Sequence, residues 1–206
     1  MAALMKFGEK GYEAASVREI ADEAGQNVAS IAYYFGNKEK LYATVLEGMG
    51  DYIGGLFQGL VAETNDQISA ETLDATGAAE VIKKMLRTLL GEQFNGEFEK
   101  IRNVMMREQS SPSESFDLLY KGTLKPIHEL LTRVLGVAIG EDPSATATIL
   151  RAHALFGQVL AFGLARETIL RRLRVKKLGP KHATMIGEII DQHIDLICHG
   201  LIPASR

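Results

Sequence analysis

The sequence predicts an all-α protein in which an N-terminal helix-turn-helix domain of three helices precedes a C-terminal helical bundle domain. Two observations favour this fold: strand-like alternation of apolar and polar residues is nowhere sustained, and beyond residue 38 the turn residues stand tens of positions apart. A chain of 206 residues that is 46% hydrophobic can also bury one or two sizeable cores. We expect the two domains to comprise residues 1–46 and 47–206.

The segment that begins at Ser16 carries the strongest local pattern in the chain. Ser16 followed by Glu19 is a capping box, which starts a helix. Gly25 can end that helix after about two turns, because glycine tolerates the left-handed conformation. Asn27 can cap a second helix that Gly36 closes. Two short helices around a tight turn are typical of a helix-turn-helix.

The second helix of this motif has a distinctive outward surface. Ile31 and Phe35 lie one turn apart, and we expect both to face the core. No acidic residue occurs between Gln26 and Lys38, so the remaining surface suits the approach of phosphate groups. Asn37 can cap a third helix, whose first turn holds Lys38.

Residues 7–25, FGEKGYEAASVREIADEAG, and residues 31–42, IAYYFGNKEKLY, resemble the DNA-binding domain of the TetR family of transcriptional regulators. The later segments REQSSPSESF, at 107–116, and AHALFGQ, at 152–158, resemble its CecR-like subgroup. The resemblance implies a homodimeric repressor that binds a palindromic DNA operator and is released by a small-molecule effector. In one departure from the family pattern, Tyr34 stands where His is frequent.

By this resemblance and by helical face, eight residues are expected to contact DNA. The guanidinium of Arg18 can reach a guanine edge or a phosphate, since it donates two parallel hydrogen bonds. Small side chains permit close approach to thymine methyls, while hydroxyl and ammonium groups suit phosphate oxygens. For Tyr33, packing in the core remains an alternative. The eight residues are Arg18, Asn27, Ala29, Ser30, Ala32, Tyr33, Tyr34 and Lys38.

The charge of the first fifty residues is unusual for a DNA-binding domain, because five basic residues stand against seven acidic ones. One explanation is that the first helix is truncated, since members of the resembled family usually carry further residues, often basic, ahead of it. Ala2–Phe7 offers fewer than two turns before Gly8, and so short a helix is marginal unless packing holds it. The other explanation is local: the acids cluster away from the second helix of the motif.

Helices are expected along most of the remaining chain. A long helix runs from Lys38 to about Glu63, weakened by five glycines, and the polar stretch 64–76 is interpreted as a connection. Ser111-Pro112 is expected to open a helix with proline in its first turn. The further expected helices are 78–90, 94–107, 143–177 and 180–200.

The last two helices are expected to build a dimer interface. Gly179-Pro180 separates them as a stop followed by a start, which makes them antiparallel neighbours. The final helix carries an apolar stripe from Met185 to Leu201 that is wide enough to pack on its own domain and on a partner. The resembled family also implies a four-helix interface of this kind. The alternative is a monomer whose last helix is core.

The C-terminal domain is expected to hold a hydrophobic or aromatic effector. Arginines and histidines in apolar helical surroundings are the most informative candidates, because an unpaired buried charge is costly. Either Glu99 and Glu108 pair with these groups, or a ligand does. Aromatic and methionine side chains line many pockets but are equally typical of a helical core. The candidates are Phe94, Phe98, Arg102, Met105, Met106, Arg107, His128, His153, Phe156 and Arg166.

Several other functions lack support in the sequence. The sequence contains no glycine-rich phosphate loop and no nucleophile elbow, and no pair of acidic residues has a spacing typical of catalysis. We therefore expect neither an enzyme nor a cofactor. Asp191, Asp195 and His199 could share a helix face, but we interpret them as the rim of the dimer surface and expect no metal site. We expect no membrane segment and a cytoplasmic location. A helical dimer that has lost DNA binding remains the main alternative function.

Overall fold

The computed structural model describes residues 1–201, with the side chains of residues 1–200, and the end of the predicted second domain lies outside them. The described chain is helical and contains no strand, so the predicted all-α fold is confirmed. Eleven α-helices and one π-helical turn follow one another within it. They are α1 Ala2–Ala14, α2 Val17–Glu23, α3 Val28–Phe35, α4 Lys38–Ser69, α5 Ala75–Gln93, α6 Phe98–Ser110, α7 Phe116–Leu119, the π-turn Tyr120–Leu124, α8 Lys125–Ile139, α9 Thr146–Leu164, α10 Arg166–Leu173 and α11 Pro180–Leu201.

The chain forms two compact units, and each is built from two separate stretches. The first unit combines Met1–Gly55 with Gly96–Pro126. The second combines Leu56–Asn95 with the described residues from Ile127 onward. Helix α4 therefore belongs to both units. The domain boundary predicted at residue 46 stays a prediction, because a functional domain need not coincide with a compact unit.

The core of the first unit joins the helix-turn-helix to α1, α4 and α6. Phe7, Ile20 and Leu46 are almost fully buried, so α1, α2 and α4 each contribute a large side chain to the apolar interior of the unit. The Phe7 ring also contacts the buried Tyr42 ring edge-on, with 4.7 Å between centroids. Helix α6 packs along α1 in the same unit. Burial of these large side chains fixes α2 and α3 on a rigid support.

The second unit is centred on α5, which packs against α9 and α11. Helix α5 buries Ile82, Met85 and Leu86, and α11 buries Ile190 and Ile194 at helical spacing. Two ion pairs then link the polar margins of α5 and α11: Lys83 with Asp195, at 2.7 Å, and Arg87 with Asp191. The α5–α11 pair is thus held by an apolar stripe with charged edges.

The expectation that the first helix ends before Gly8 is wrong. Helix α1 runs from Ala2 through Gly8 and reaches Ala14, with a break at Gly11, where φ is 80°. Gly8 continues the helix because α6 comes close at that point: a Cβ there would lie 3.3 Å from the Lys100 carbonyl oxygen. Tertiary packing, which local sequence does not reveal, thus holds a helix with two internal glycines.

Three other predicted helix limits are also wrong. Helix α4 continues past Glu63 to Ser69, so the first part of the stretch interpreted as a connection is helical. Ser111-Pro112 does not open a helix, because residues 111–115 form a non-helical turn before α7. The helix expected over 143–177 is two helices, α9 and α10, which are separated by Ala165.

Candidate nucleic-acid interface

The turn between α2 and α3 is fixed by the polar groups that the sequence suggested. The Ser16 hydroxyl accepts a hydrogen bond from the Glu19 amide, and the Glu19 carboxylate accepts one from the Ser16 amide, at 3.2 and 3.1 Å. Gly25 follows with φ 61°, a conformation that favours glycine. Asn27 then accepts from the amides of Ala29 and Ser30. Both caps leave α2 and α3 with defined starting points, so the direction of α3 is set.

Helix α3 presents a face to solvent that suits contact with DNA. Tyr33 is 84% exposed and Tyr34 is 76% exposed, and their rings meet edge-on with 5.2 Å between centroids. The alternative that Tyr33 packs in the core is therefore wrong. Of the other candidate DNA-contacting residues, Ser30 is half-buried, and Arg18, Asn27, Ala29 and Ala32 are exposed.

Only one of the two side chains expected to face the core does so fully. Ile31 is buried, whereas Phe35 keeps 36% of its surface exposed. Phe35 lines an open apolar pocket of about 280 Å³ together with Ile31, Leu41 and the first residues of α1. The expectation of a buried Phe35 is wrong because α1 and α2 leave this pocket unfilled.

Lys38, the first residue of α4, contacts two residues of α1 in the first unit. Its ammonium donates to the carbonyl oxygen of Glu13 at 3.0 Å and lies 4.6 Å from the centre of the Tyr12 ring. Lys38 thus links the start of α4 to α1.

The candidate effector-binding residues are divided between the two units. The α6 residues belong to the first unit, where Phe98 and Arg102 are buried, Met105 is half-buried, and Met106 and Arg107 are exposed. The remaining candidates belong to the second unit, where His153 is exposed and Phe94, His128, Phe156 and Arg166 are half-buried. Their role in effector binding stays a prediction.

One aromatic cluster forms among these candidates. The His128 ring on α8 lies 5.7 Å from the His153 ring and 5.8 Å from the Phe156 ring, both on α9. Burial lowers the pKa of His128, and the nearby His153 lowers it further. The imidazole of His128 is therefore neutral at neutral pH and can donate one hydrogen bond and accept another.

The polar candidates on α6 have protein partners that differ in part from those expected. Glu99 lies 3.9 Å from Arg102, which agrees with the expected ion pair. Arg107, however, donates to two backbone carbonyls of α1. Glu108 instead accepts from the Tyr42 hydroxyl at 2.6 Å and from Ser113. The alternative in which Glu108 pairs with an arginine does not hold, because tyrosine and serine donors satisfy its carboxylate.

Several residues that shape the first unit were not identified from the sequence. Tyr12 and Tyr42 form an aromatic cluster with Phe7 that supports Lys38 and Glu108. The contact between Tyr12 and Tyr42 was not apparent from the sequence, because the two residues are thirty positions apart. The segment that contains Glu108 and Ser113 did attract notice, but only as a marker of the resembled subgroup.

The aspartates on α11 form ion pairs with basic side chains of α5. Asp191 and Asp195 each pair with a basic residue of α5, so they link helices within the unit. Among the described residues, no three metal-binding side chains form a group. The interpretation of these aspartates as the rim of a dimer surface stays a prediction.

A capped helix-turn-helix with an exposed, acid-free second helix defines a DNA-binding regulator, and two family models agree. The model "Bacterial regulatory proteins, tetR family" matches residues 1–45. The model "HTH-type transcriptional dual regulator CecR, C-terminal domain" matches residues 78–201. The chain therefore belongs to the TetR family of transcriptional regulators and, within it, to the CecR-like subgroup. It binds DNA as a regulator and is not an enzyme.

Relatives and solved structures agree with this family. The chain is 36% identical over 204 residues to the HTH-type transcriptional dual regulator CecR of Shigella flexneri, covering 99% of this chain and 91% of that protein. It is 38% identical over 69 residues to the repressor KstR2 of Rhodococcus jostii, a third of each chain. Its fold is similar to that of the TetR-family regulator PfmR of Thermus thermophilus, with a TM-score of 0.56, 22% identity and 99% of each chain covered.

Proposed function

We propose that the protein is a homodimeric repressor that binds a palindromic operator and leaves it when a small-molecule effector binds. The exposed face of α3 is the observation that carries this proposal. Tyr33 and Tyr34 project from a helix whose start is fixed by Asn27, with no acidic residue from Gln26 to Lys38. A helix of this kind fits the major groove, where its first residues meet base edges.

The proposed contacts follow from exposure and from chemistry. Arg18 on α2 is assigned to a phosphate or a guanine edge, and Ala29 and Ala32 permit close approach to thymine methyls. Ser30, Tyr33 and Tyr34 are assigned to phosphate oxygens. Lys38 adds a positive charge beside them, and Asn27 touches the DNA backbone while capping α3.

The proposed dimer interface is the exposed apolar surface of α9 and α11. Helix α11 buries one stripe in its own unit and leaves a second stripe exposed, which includes Met185, Ile189 and Leu196. Helix α9 leaves Leu150, 63% exposed, and Leu164, 50% exposed. Large exposed apolar patches are typical of protein–protein interfaces. A two-fold dimer would cover them and place two copies of α3 on two half-sites.

Helix α9 also meets the length and composition of a membrane span, and it alone does so among the described helices. It is not expected to span a bilayer, since it packs against α5 and carries Arg151 in an ion pair with Glu141. A partner copy explains its exposed leucines without a membrane. A protein whose ligand is operator DNA acts in the cytoplasm, where bacterial DNA lies.

The proposed effector is hydrophobic or aromatic. His128, His153 and Phe156 supply ring faces and one neutral imidazole in the second unit, and Phe94 and Arg166 are further candidates there. The candidates of the first unit lie on α6 and are Phe98, Arg102, Met105, Met106 and Arg107. If the effector binds only an arrangement of the dimer that does not bind DNA, it shifts the population toward that arrangement and away from the DNA-binding form.

Binding to duplex DNA at several salt concentrations tests the proposed function. We expect the affinity to fall steeply with salt, by about a thousandfold for a fourfold rise if six or more phosphates are contacted. Tyr34→Ala should weaken binding by about fivefold or more. The matched control is Tyr120→Ala, which removes an exposed tyrosine from the π-turn. Equal binding by the parent and Tyr34→Ala would contradict the proposed docking.

A further inference from the structure

A basic segment of the second unit, residues 166–177, has no part in the function proposed so far. It comprises α10 and the turn that follows it, and it holds six basic residues against one acidic residue, Glu167. Its net charge is therefore +5, while the whole chain carries −3, so the residues outside the segment together carry −8. Such an asymmetry of charge indicates an anionic partner.

Buried side chains fix the backbone of the basic segment. Leu170 and Leu178 are buried, and Val175 between them is half-buried. The Val175 amide donates to the Leu170 carbonyl oxygen at 3.1 Å, which turns the chain at the end of α10. The basic side chains of this stretch are therefore carried by a backbone whose apolar side chains pack into the unit.

Arg174 occupies a backbone position that favours glycine. It is the first residue after α10 and has φ 57° and ψ 40°, which is the left-handed region. Glycine is the usual residue at this position of a helix end, because a Cβ is unfavourable there. Left-handed backbone in residues other than glycine is concentrated at functional sites. The strain at Arg174 therefore indicates a use for its side chain other than stabilising the fold.

Four of the basic side chains are exposed and form no ion pair with any described residue. Arg171 does pair with Glu167 at 3.5 Å, but both side chains are largely exposed, and such pairs contribute little to stability. Like charges placed so close together repel one another, so an anion that lies across them is bound favourably. The four are Arg172, Arg174, Lys176 and Lys177.

Stabilisation of the helix end explains only part of this charge. Arg171 and Arg172 lie in the last turn of α10, where cations are favourable. That effect falls off within the last turn, and Arg174, Lys176 and Lys177 follow the helix. These three cations are therefore available to a partner.

The exposed side of the basic segment is almost purely charged, which favours DNA over a membrane as the partner. A helix that lies on a membrane surface inserts its apolar face into the lipid. In α10, Leu170 is buried and Ile169 is half-buried, so that face packs on the protein. Leu173 is the one large apolar side chain of this described segment that is exposed. The phosphates of a DNA duplex, by contrast, require only cations.

We propose that the basic segment binds the phosphate backbone of duplex DNA without regard to its sequence. This surface is separate from α3, because α3 belongs to the first unit and the basic segment to the second. Contacts of this kind supply nearly all of the affinity of a regulator for DNA that lacks its operator, and they let it slide and hop along the duplex. The basic segment thus holds the protein on DNA while α3 finds its site.

The test measures affinity for a short duplex of random sequence at several salt concentrations. The variant Arg174→Gly/Lys176→Gln/Lys177→Gln removes three cations. We expect the slope of log affinity against log salt to become shallower by about 3, roughly one for each lost phosphate contact. Lys176→Gln alone should account for about one of these. The matched control is Lys84→Gln, which removes the same charge from an exposed position on α5 in the same unit and should leave the slope unchanged.

Arg174→Gly separates a loss of binding from a loss of folding. Glycine relieves the left-handed strain, so this variant should unfold at a higher urea concentration than the parent. It should nevertheless bind the random duplex more weakly. A variant that is more stable and binds DNA less tightly has lost a contact with DNA, not its fold.

A shallower slope for the triple variant, present also in the Tyr34→Ala background, supports the inference. An unchanged slope overturns it and leaves operator binding by α3 in place. Equal effects of Lys84→Gln and Lys176→Gln also overturn it, since net charge alone would then set the affinity. Vesicles of phosphatidylglycerol provide the last comparison: a triple variant that loses vesicle binding but keeps the DNA slope of the parent would overturn DNA as the partner.

Discussion

At the scale of single residues, the start of each DNA-binding helix depends on one polar side chain. Ser16 and Glu19 cap α2 reciprocally, and Asn27 caps α3. Such caps satisfy backbone amides that have no partner within the helix. Because α3 has only eight residues, its direction depends strongly on where it begins.

Asn27→Ala should lower the free energy of unfolding by about 1 kcal/mol, because two amides of α3 lose their acceptor. Urea denaturation followed by circular dichroism measures this loss. The control is Gln26→Ala, which changes the adjacent exposed residue and leaves the cap in place. If both variants unfolded at the same urea concentration, the cap would contribute nothing to stability.

Glu19 should titrate far below an ordinary glutamate. Hydrogen bonding to Lys10, and next to the Ser16 amide and hydroxyl, lowers its pKa from 4.5 to about 2. Its stabilising effect is therefore present above pH 4.5 and is lost as the pH falls through about 2. Carbon-detected NMR of the Glu19 carboxyl measures the pKa, and Lys10→Met should raise it. A midpoint near 4.5 in the parent would contradict the structure.

The residues of the candidate site were predictable from the sequence where their contacts are with residues a few positions away. The caps at Ser16 and Asn27 depend on neighbours within three positions, and the structure confirms both. The exposure of Phe35 was not predictable, because it depends on how α1 and α2 fill the space beside it. The Tyr42–Glu108 hydrogen bond joins residues 66 positions apart, so no local pattern indicates it.

At the scale of helices, α4 shows how the surroundings decide the role of a glycine. A Cβ on Gly48 would meet no described atom within 4 Å, whereas a Cβ on Gly50 would lie 2.5 Å from the Thr123 hydroxyl. Gly50 thus allows α4 to pack closely on the π-turn of the same unit. Gly48 only weakens the helix.

These two glycines should respond oppositely to alanine. Gly48→Ala should raise the free energy of unfolding by up to roughly 1 kcal/mol, because alanine favours a helix. Gly50→Ala should lower it, because the added methyl displaces Thr123. Thermal denaturation of both variants measures the difference. Thr123→Ala should recover part of the loss in the Gly50→Ala background. Equal effects at both positions would show that α4 and the π-turn do not pack closely.

The ends of a helix were predicted correctly where a glycine or proline marks them. The predictions were wrong where tertiary packing determines the end of the helix. Gly179-Pro180 marks the start of α11, and Pro126 lies in the first turn of α8. The separation of α9 from α10 falls at Ala165, whereas the nearest glycine, Gly163, lies within α9. The continuation of α4 to Ser69 likewise goes against its polar composition.

At the scale of the whole molecule, the net charge of −3 does not suggest a DNA-binding protein. The distribution of charge matters more than its sum, since α3 and its flanks are free of acidic residues from Gln26 to Lys38. One half-site offers little area for binding. In the proposed dimer, two copies of α3 would bind a palindrome far more tightly than either copy alone.

Leu196→Glu should weaken the dimer by at least about tenfold, because it places a charge in the proposed apolar interface. Sedimentation equilibrium at several concentrations measures the dissociation constant. Leu118→Glu, an exposed leucine on α7 of the first unit, is the control and should leave it unchanged. A parent that remains monomeric at micromolar concentration would contradict the proposed interface.

Selection of genomic DNA fragments by the purified protein, followed by sequencing of the bound pool at moderate salt, tests the central claim most directly. We expect enrichment of one near-palindromic sequence whose half-sites lie about one helical turn apart. That result would also indicate which genes the protein controls. A bound pool with no shared sequence, or with a single half-site and no preferred spacing, would contradict a dimeric operator-binding regulator.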